Sequence, residues 1–127
     1  MGKIGVVTKT LINGLTYNAN TTVDITDKLY GIQWVQPPVF HITATEVNNG
    51  TTLDIAVQLS FNGGANYTAN AVAMTQLSAS GNETKAFTIP PWGDKARINL
   101  AFGAANHNWT VTAKVSGPAY GGGRASY

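Results

Sequence analysis

Acid–base or metal chemistry in this chain would have to come from few side chains. The 127 residues include six carboxylates and two histidines, His41 and His107, and no cysteine. A glycoside hydrolase needs two carboxylates at a fixed separation, and a zinc site needs three or four nitrogen, sulfur or oxygen ligands. Four of the six carboxylates adjoin predicted turns, where solvated acids are common, and the histidines show no metal-ligand spacing. The carboxylates are Asp24, Asp27, Glu46, Asp54, Glu83 and Asp94.

Other sources of chemistry are missing from the sequence as well. No serine lies in a Gly-x-Ser-x-Gly motif, and no glycine-rich phosphate-binding loop precedes a predicted helix. The lack of cysteine excludes disulfides, thiolate metal sites and a cysteine nucleophile. We therefore predict that the protein is not an enzyme and has no catalytic residue, no metal ion and no cofactor.

Charge and hydropathy limit the partners of the chain. The net charge is +2, and the eight Lys and Arg residues are scattered rather than clustered. Nucleic-acid binding usually needs a clustered basic face, so we expect no nucleic-acid partner. No apolar run approaches the ~20 residues of a membrane span, and the N-terminal segment does not match a signal peptide. We therefore expect no membrane partner, and synthesis in the cytoplasm without Sec export.

The surface is expected to be poor in charge. Charged residues make up 11% of the chain, against a typical ~25%, and Thr, Asn, Ala and Gly take their places. Such a surface repels neighbours weakly, which suits a protein whose surface is mostly covered by partners. A β-protein that simply favours Thr and Asn has the same composition, so both interpretations stay open.

The elements that position these side chains are predicted to be strands. The clearest pattern lies within Thr51–Thr68, where apolar and small or polar residues alternate over nine residues. The strand ends at Asn62-Gly63-Gly64, because glycine adopts positive φ at no steric cost, and a hairpin to an extended run from Tyr67 is predicted there. The apolar face of this strand is formed by Leu53, Ile55, Val57, Leu59 and Phe61.

Alternating or β-branched residues predict further strands at residues 2–12, 21–26, 39–47, 83–89, 96–102 and 109–116. Asn13-Gly14, between Ile12 and Leu15, predicts a second hairpin. Short strands at close spacing without a helical period predict an all-β protein, an antiparallel β-sandwich or jelly roll of about eight short strands. We assign residues 1–116 to one sandwich domain and residues 117–127 to a glycine-rich C-terminal arm.

One turn has a recognisable motif. Ser60–Tyr67 resembles the Asp-box hairpin, Ser-x-Asp-x-Gly-x-Thr-Trp, with Asn62 in place of Asp and Tyr67 in place of Trp. In sialidases and related proteins this element is a structural turn remote from the active site. The resemblance covers eight residues, and it implies a tight hairpin rather than sialidase activity.

Aromatic residues and the C-terminal arm are the candidate interaction residues. Trp109 is in phase with Val111 and is predicted to be core or rim. Trp34 and Trp92 lie in loops beside Pro or Gly, where they either form a sugar-binding platform or pack under a loop or a neighbouring subunit. The arm has the composition of a flexible linker, but its larger side chains are of types that anchor well at interfaces. We predict that it docks on a neighbouring subunit through Tyr120, Arg124 and Tyr127, or else lies along its own sheet.

The chain as a whole resembles small bacteriophage virion proteins. The resemblance rests on the hairpin at Asn62-Gly63-Gly64, on the alternating strands at 96–102 and 109–116, and on the lack of cysteine, signal peptide and catalytic motif. It implies a capsid decoration or cement protein, a homo-oligomer of two or three copies that bridges and stabilises capsid subunits. The implied partners are the major capsid protein or other virion subunits, and the implied location is the virion. The alternative is a carbohydrate- or host-surface-binding module of a phage tail or fibre, with a glycan as the partner.

Overall fold

The computed structural model describes residues 6–29, 32, 37–47, 52–89, 94–103 and 108–118. These residues form strands and one short 3-10 helix, and the predicted all-β class is confirmed. The strands are β1 (Val6–Tyr17), β2 (Thr21–Asp24), β3 (Val39–Glu46), β4 (Leu53–Ser60), β5 (Ala69–Ala73), β6 (Gly81–Ala86), β7 (Lys95–Phe102) and β8 (Trp109–Pro118), and the helix between β2 and β3 is Thr26–Leu29.

The strands form two four-stranded antiparallel sheets. The first sheet has the order β1-β8-β3-β6, and the second has the order β2-β7-β4-β5. The first strand therefore pairs with the last, the second with the seventh, the third with the sixth and the fourth with the fifth. A long folded hairpin that is rolled into two sheets gives this nested pairing, which is the jelly roll. The predicted sandwich is confirmed.

The core lies between the two sheets and takes alternate residues from each strand. In β4, Leu53, Ile55, Val57 and Leu59 are buried, as the alternation predicts. In the first sheet the fully buried Trp109 is the largest core side chain. Each such side chain contributes on the order of 1.5–3 kcal/mol by leaving water. The buried face predicted for β4 is therefore correct at these four residues, and the core fixes the register of both sheets.

The hairpin predicted at Asn13-Gly14 is wrong. β1 runs without a turn through both residues and pairs with β8 along its length, with register shifts between Thr10 and Ile12 and between Asn13 and Leu15. Gly14 has a φ of 66°, so it is the extra residue of a β-bulge rather than part of a turn. Asn-Gly suits both structures because both need positive φ, and the long partner strand β8 decides between them.

The end of β4 also differs from the prediction. Phe61 does not continue the buried face, because the strand ends at Ser60 and the Phe61 side chain is 57% exposed. Ser60 belongs by alternation to the outer face, yet it is fully buried. The connection to β5 folds back over this position and covers the serine.

The sandwich extends two residues beyond the predicted end at Ser116. Gly117 and Pro118 belong to β8 and pair with Val7 and Val6 of β1. A side chain at position 117 would meet the Ile32 Cγ2 atom at 2.7 Å, so glycine permits this close approach. The remainder of the predicted arm, residues 119–127, lies outside the described residues.

Candidate interaction surface

The connection between β4 and β5 is a turn held by the Ser60 hydroxyl. This hydroxyl accepts hydrogen bonds from the backbone N–H of Gly64 (2.9 Å) and of Asn62 (3.3 Å), and it donates to the Asn62 Oδ1 atom (2.9 Å). Asn62 Oδ1 also accepts a bond from the Asn66 N–H at 3.0 Å. Gly63 and Gly64 have φ angles of 74° and 96°. The predicted hairpin is confirmed, and its motif residues hold the turn in one conformation.

Asp94 ties this turn to the start of β7. Its carboxylate accepts a hydrogen bond from the Gly63 N–H at 3.1 Å, and its own N–H donates to the Ser60 carbonyl at 2.7 Å. Because these contacts reach the turn from a neighbouring strand, the turn is fixed to the second sheet on two sides. The backbone of the turn is therefore hydrogen-bonded both to the end of β4 and to the residue before β7.

The outer face of the second sheet carries a positioned arginine beside this turn. The Arg97 guanidinium lies over the Tyr67 ring, with its central carbon 3.9 Å from the ring centroid. The Arg97 Nε–H donates to the Gln58 Oε1 atom at 2.9 Å. Tyr67 belongs to the turn, whereas Gln58 and Arg97 are opposite each other on β4 and β7. The arginine is half-buried, so its charge stays accessible from solvent.

Phe61 is the exposed apolar residue of the same turn. It lies between Ser60 and Asn62, both of which are fixed by the hydrogen bonds above, and more than half of its side chain faces solvent. Aromatic residues and arginine are enriched at protein interfaces and among the residues that dominate their binding energy. We call Phe61, Tyr67 and Arg97 the turn surface, and it is the best-defined candidate interaction surface of the described residues.

Two of the carboxylates, Asp24 and Glu83, favour the ionised form. Hydrogen bonds from the Thr26 hydroxyl and N–H (2.6 and 2.9 Å) hold the pKa of Asp24 below its usual value. Burial alone would raise the pKa of Glu83, but hydrogen bonds from Thr75 and the neighbouring Lys85 outweigh it, so this pKa is lowered as well. A general acid at neutral pH needs a raised pKa, so neither group is suited to that role.

Metal ligands are not gathered at any point of the described chain. No group of three or more His, Asp or Glu side chains there could hold a metal ion. His41 lies on the outer face of the first sheet, where its ring nitrogens are 2.6 Å from the Thr84 hydroxyl and 3.3 Å from the Thr43 hydroxyl. His107 lies outside the described residues.

None of the interface residues predicted from the sequence falls within the described ranges; they are Trp34, Trp92, Tyr120, Arg124 and Tyr127. Trp109 lies in the core, which is one of the two positions predicted for it. No pattern in the sequence singles out Arg97 or Gln58. They come together only through the pairing of β4 with β7, and no local pattern encodes that register.

Comparisons with known proteins show the fold. No protein-family model matches the chain, and no curated protein matches it in sequence. It is similar to a chain in the structure of the Gx strain of infectious bursal disease virus, with a TM-score of 0.52 and 16% identity over 94% of this chain and 33% of that chain. A chain in the VP2 subviral particle of the same virus gives a TM-score of 0.48 at 13% identity, over 88% and 31% of the two chains. At 16% identity, the likeness to the Gx strain chain establishes the β-sandwich fold alone.

A pilus subunit is more distantly similar. The disulfide-linked pili of Bacillus endospore appendages give a TM-score of 0.44 at 10% identity, over 91% of this chain and 88% of that chain. Of the viral chains described above, by contrast, this chain spans only about a third of the length. Among the described residues no helix is long and apolar enough to span a membrane.

Proposed function

We propose that the protein is a non-enzymatic structural subunit of a virus particle, of the capsid decoration or cement type. In this role it binds the major capsid protein or other virion subunits and stabilises the capsid by bridging them. The main support is the jelly roll, which over 94% of the chain is similar to part of a chain from a virus particle at a TM-score of 0.52. Jelly rolls are common in viral capsid proteins, and they also occur in lectins, so the surface must carry the rest of the argument.

The outer face of the first sheet supports a role in which the surface is covered. Hydroxyl groups on neighbouring strands bond to each other there: Thr8 to Ser116 at 2.7 Å and Thr16 to Thr110 at 2.8 Å. Lys114 is the exposed charged side chain of β8 on this face. A face whose polar groups bond to one another and carry little charge repels a neighbouring subunit weakly, which is the property inferred from the 11% charged composition.

The sheet edges support contacts through faces and turns rather than through strand pairing. At the β5 edge, Thr88 donates two hydrogen bonds to the Ala71 carbonyl and Lys85 donates one to the Ala73 carbonyl. The β1 edge carries two bulges, and its half-buried Lys9 lies opposite the buried Val115. Bulges and inward charges are features by which proteins prevent edge-to-edge pairing. The copies of a dimer or trimer would therefore meet through other surfaces.

The remaining parts of the proposal concern residues outside the described ranges and the setting of the protein. In it, residues 119–127 dock on a neighbouring subunit through Tyr120, Arg124 and Tyr127, and Trp34 and Trp92 lie at subunit contacts. The particle is a bacteriophage virion, and the protein is made in the cytoplasm of the host and used in the virion.

The oligomeric state is tested by light-scattering mass analysis of the purified chain, beside a glycan array. A mass of two or three copies without glycan binding supports the proposal. A monomer that binds sugars would instead favour a carbohydrate-binding module.

A further inference from the structure

We propose that Arg97 is a docking point for a carboxylate on the surface of a partner protein chain. Tyr67 and Gln58 hold its guanidinium in place, and the two Nη groups receive the carboxylate. The partner residue is thus an aspartate or glutamate side chain. The proposal deepens the assembly function above, and it depends on that function only for the identity of the partner.

The guanidinium is positioned before any partner arrives. The Tyr67 ring covers one of its planar faces at 3.9 Å, and the bond from Nε to Gln58 at 2.9 Å fixes its rotation in the plane. Tyr67 is itself part of the turn that the Ser60 hydroxyl holds. An arginine fixed in this way loses little conformational entropy when it binds, and its planar fork matches the two oxygens of a carboxylate.

The donors that remain determine what can bind. Since Nε bonds to Gln58, the Nη groups are left, and no hydrogen bond joins them to a described residue. Asp24 is opposite Arg97 in the strand register, but its carboxylate accepts bonds from Thr26 and makes no ion pair with the arginine. Two parallel N–H groups at the end of a guanidinium bind a carboxylate with two hydrogen bonds.

The charges that face Arg97 favour a single negative charge. On its own strand, Lys95 is two residues away on the same face, and on β2 the carboxylate of Asp24 faces it across the strand pair. The facing positions on β4 and the next strand are the uncharged Gln58 and Asn70. Two cations with one anion give little net positive charge, which disfavours a phosphate dianion or a nucleic acid.

The setting favours a macromolecular partner over a small molecule. Small ligands bind mostly in concave clefts that cover most of their surface. Arg97 instead lies on the outer face of a sheet, and the exposed Phe61 belongs to the turn beside it. An open guanidinium fork on a sheet face, outside any cleft, fits a residue that another protein surface presents.

The test uses the full chain labelled with ¹⁵N. The sequence contains two arginines, Arg97 and Arg124, so the Nε–H region of the NMR spectrum holds two signals, and Arg124→Lys assigns them. Hexaglutamate peptide is the probe, and inorganic phosphate is the comparison. We expect the peptide to shift the Arg97 signal of the full chain saturably. Arg97→Lys has no Nε–H signal at this position, so its binding is measured from the shifts of the backbone amides. We expect it to bind the peptide about tenfold more weakly or worse, because lysine retains the charge but lacks the fork.

One matched pair of variants and one control variant on the other sheet make the result specific. Tyr67→Leu should weaken binding whereas Tyr67→Phe, which retains the ring, should not, and Lys114→Met on the other sheet should leave it unchanged. A backbone spectrum of each variant shows that it is folded. An Arg97 signal that does not move at saturating peptide, equal affinity for phosphate, or an equal loss in Lys114→Met would overturn the proposal. These outcomes leave the virion role untouched, since they are measured on the isolated chain.

Discussion

The Ser60 hydroxyl oxygen lies 2.9 Å from the Gly64 backbone nitrogen, and this contact closes the connection between β4 and β5. Ser60 is fully buried at a position where strand alternation expects a solvent-facing residue. This buried hydroxyl, together with the Asp94 carboxylate, holds the turn that carries Phe61 and Tyr67. The same turn positions the Arg97 guanidinium through the Tyr67 ring.

Removal of this hydroxyl should destabilise the protein. Ser60→Ala removes the hydrogen bonds that the hydroxyl accepts from the N–H groups of Asn62 and Gly64 and the one that it donates to Asn62. Each is worth about 0.5–1.5 kcal/mol net, so we expect a loss of about 1–3 kcal/mol. The control is Ser116→Ala, which removes a hydroxyl that bonds to Thr8 on the surface and should change stability by less than about 0.5 kcal/mol. Urea unfolding of the two variants measures both values. Equal midpoints would show that the turn does not depend on Ser60.

A glycine with positive φ should be needed in the turn. Gly63 has a φ of 74° and open space around it, so Gly63→Ala tests backbone conformation without a clash. We expect a loss of about 1 kcal/mol or more, because L-residues are strained in this region. Gly81→Ala is the matched control, since its backbone is not in that region and the new methyl would meet Leu77 at an ordinary 3.7 Å. The melting temperatures of the two variants are compared with that of the wild type. A melting temperature of Gly63→Ala equal to that of the wild type would contradict the assigned turn.

Two adjacent residues of β3 should respond oppositely to a new charge. Ala44 is buried between the sheets, whereas Thr45 is exposed on the outer face. Ala44→Asp should prevent folding, since an unpaired buried carboxylate costs several kcal/mol against a total stability of about 5–15 kcal/mol. Thr45→Asp should fold normally. Circular dichroism and NMR dispersion separate the outcomes, and a similar response at both positions would show that the register of β3 is wrong.

Glu83 should make stability depend on pH in the acid range. Its pKa is lowered in the folded state by hydrogen bonds from Thr75 and by Lys85, which outweigh burial. The folded state therefore favours the ionised form, and this contribution is present above the ordinary glutamate value of 4.5 and lost as the pH falls through the lower folded pKa. The stability difference between the wild type and Glu83→Gln should thus be largest near neutral pH and shrink below about pH 4.5. Denaturant titrations at several pH values measure it, and a difference that grows on acidification would contradict the assigned shift.

The sequence predicts the sandwich because burial imposes a period of two. β3, β4, β7 and β8 alternate strongly since one face of each contacts the opposite sheet. Asn13-Gly14 misled the prediction because a bulge and a hairpin need the same positive φ, and the partner strand that decides between them is about a hundred residues away in the chain. The cluster of Arg97 with Gln58 and Tyr67 could not be predicted for a related reason. Its parts come from β4, β7 and the turn, and the register that joins them depends on the packing of the whole sheet.

The virion role can be tested directly by mass spectrometry of particles. Density-gradient-purified particles from cells that express this protein from its native locus, with the genes around it, are analysed for its copy number. The proposed role predicts that the protein is present in many copies per particle, in a fixed ratio to the major capsid protein. Arg97→Lys should reduce its retention after a wash with high salt. Particles that contain no copy of the protein, while the soluble fraction of the same cells contains it in abundance, would contradict the proposed structural role.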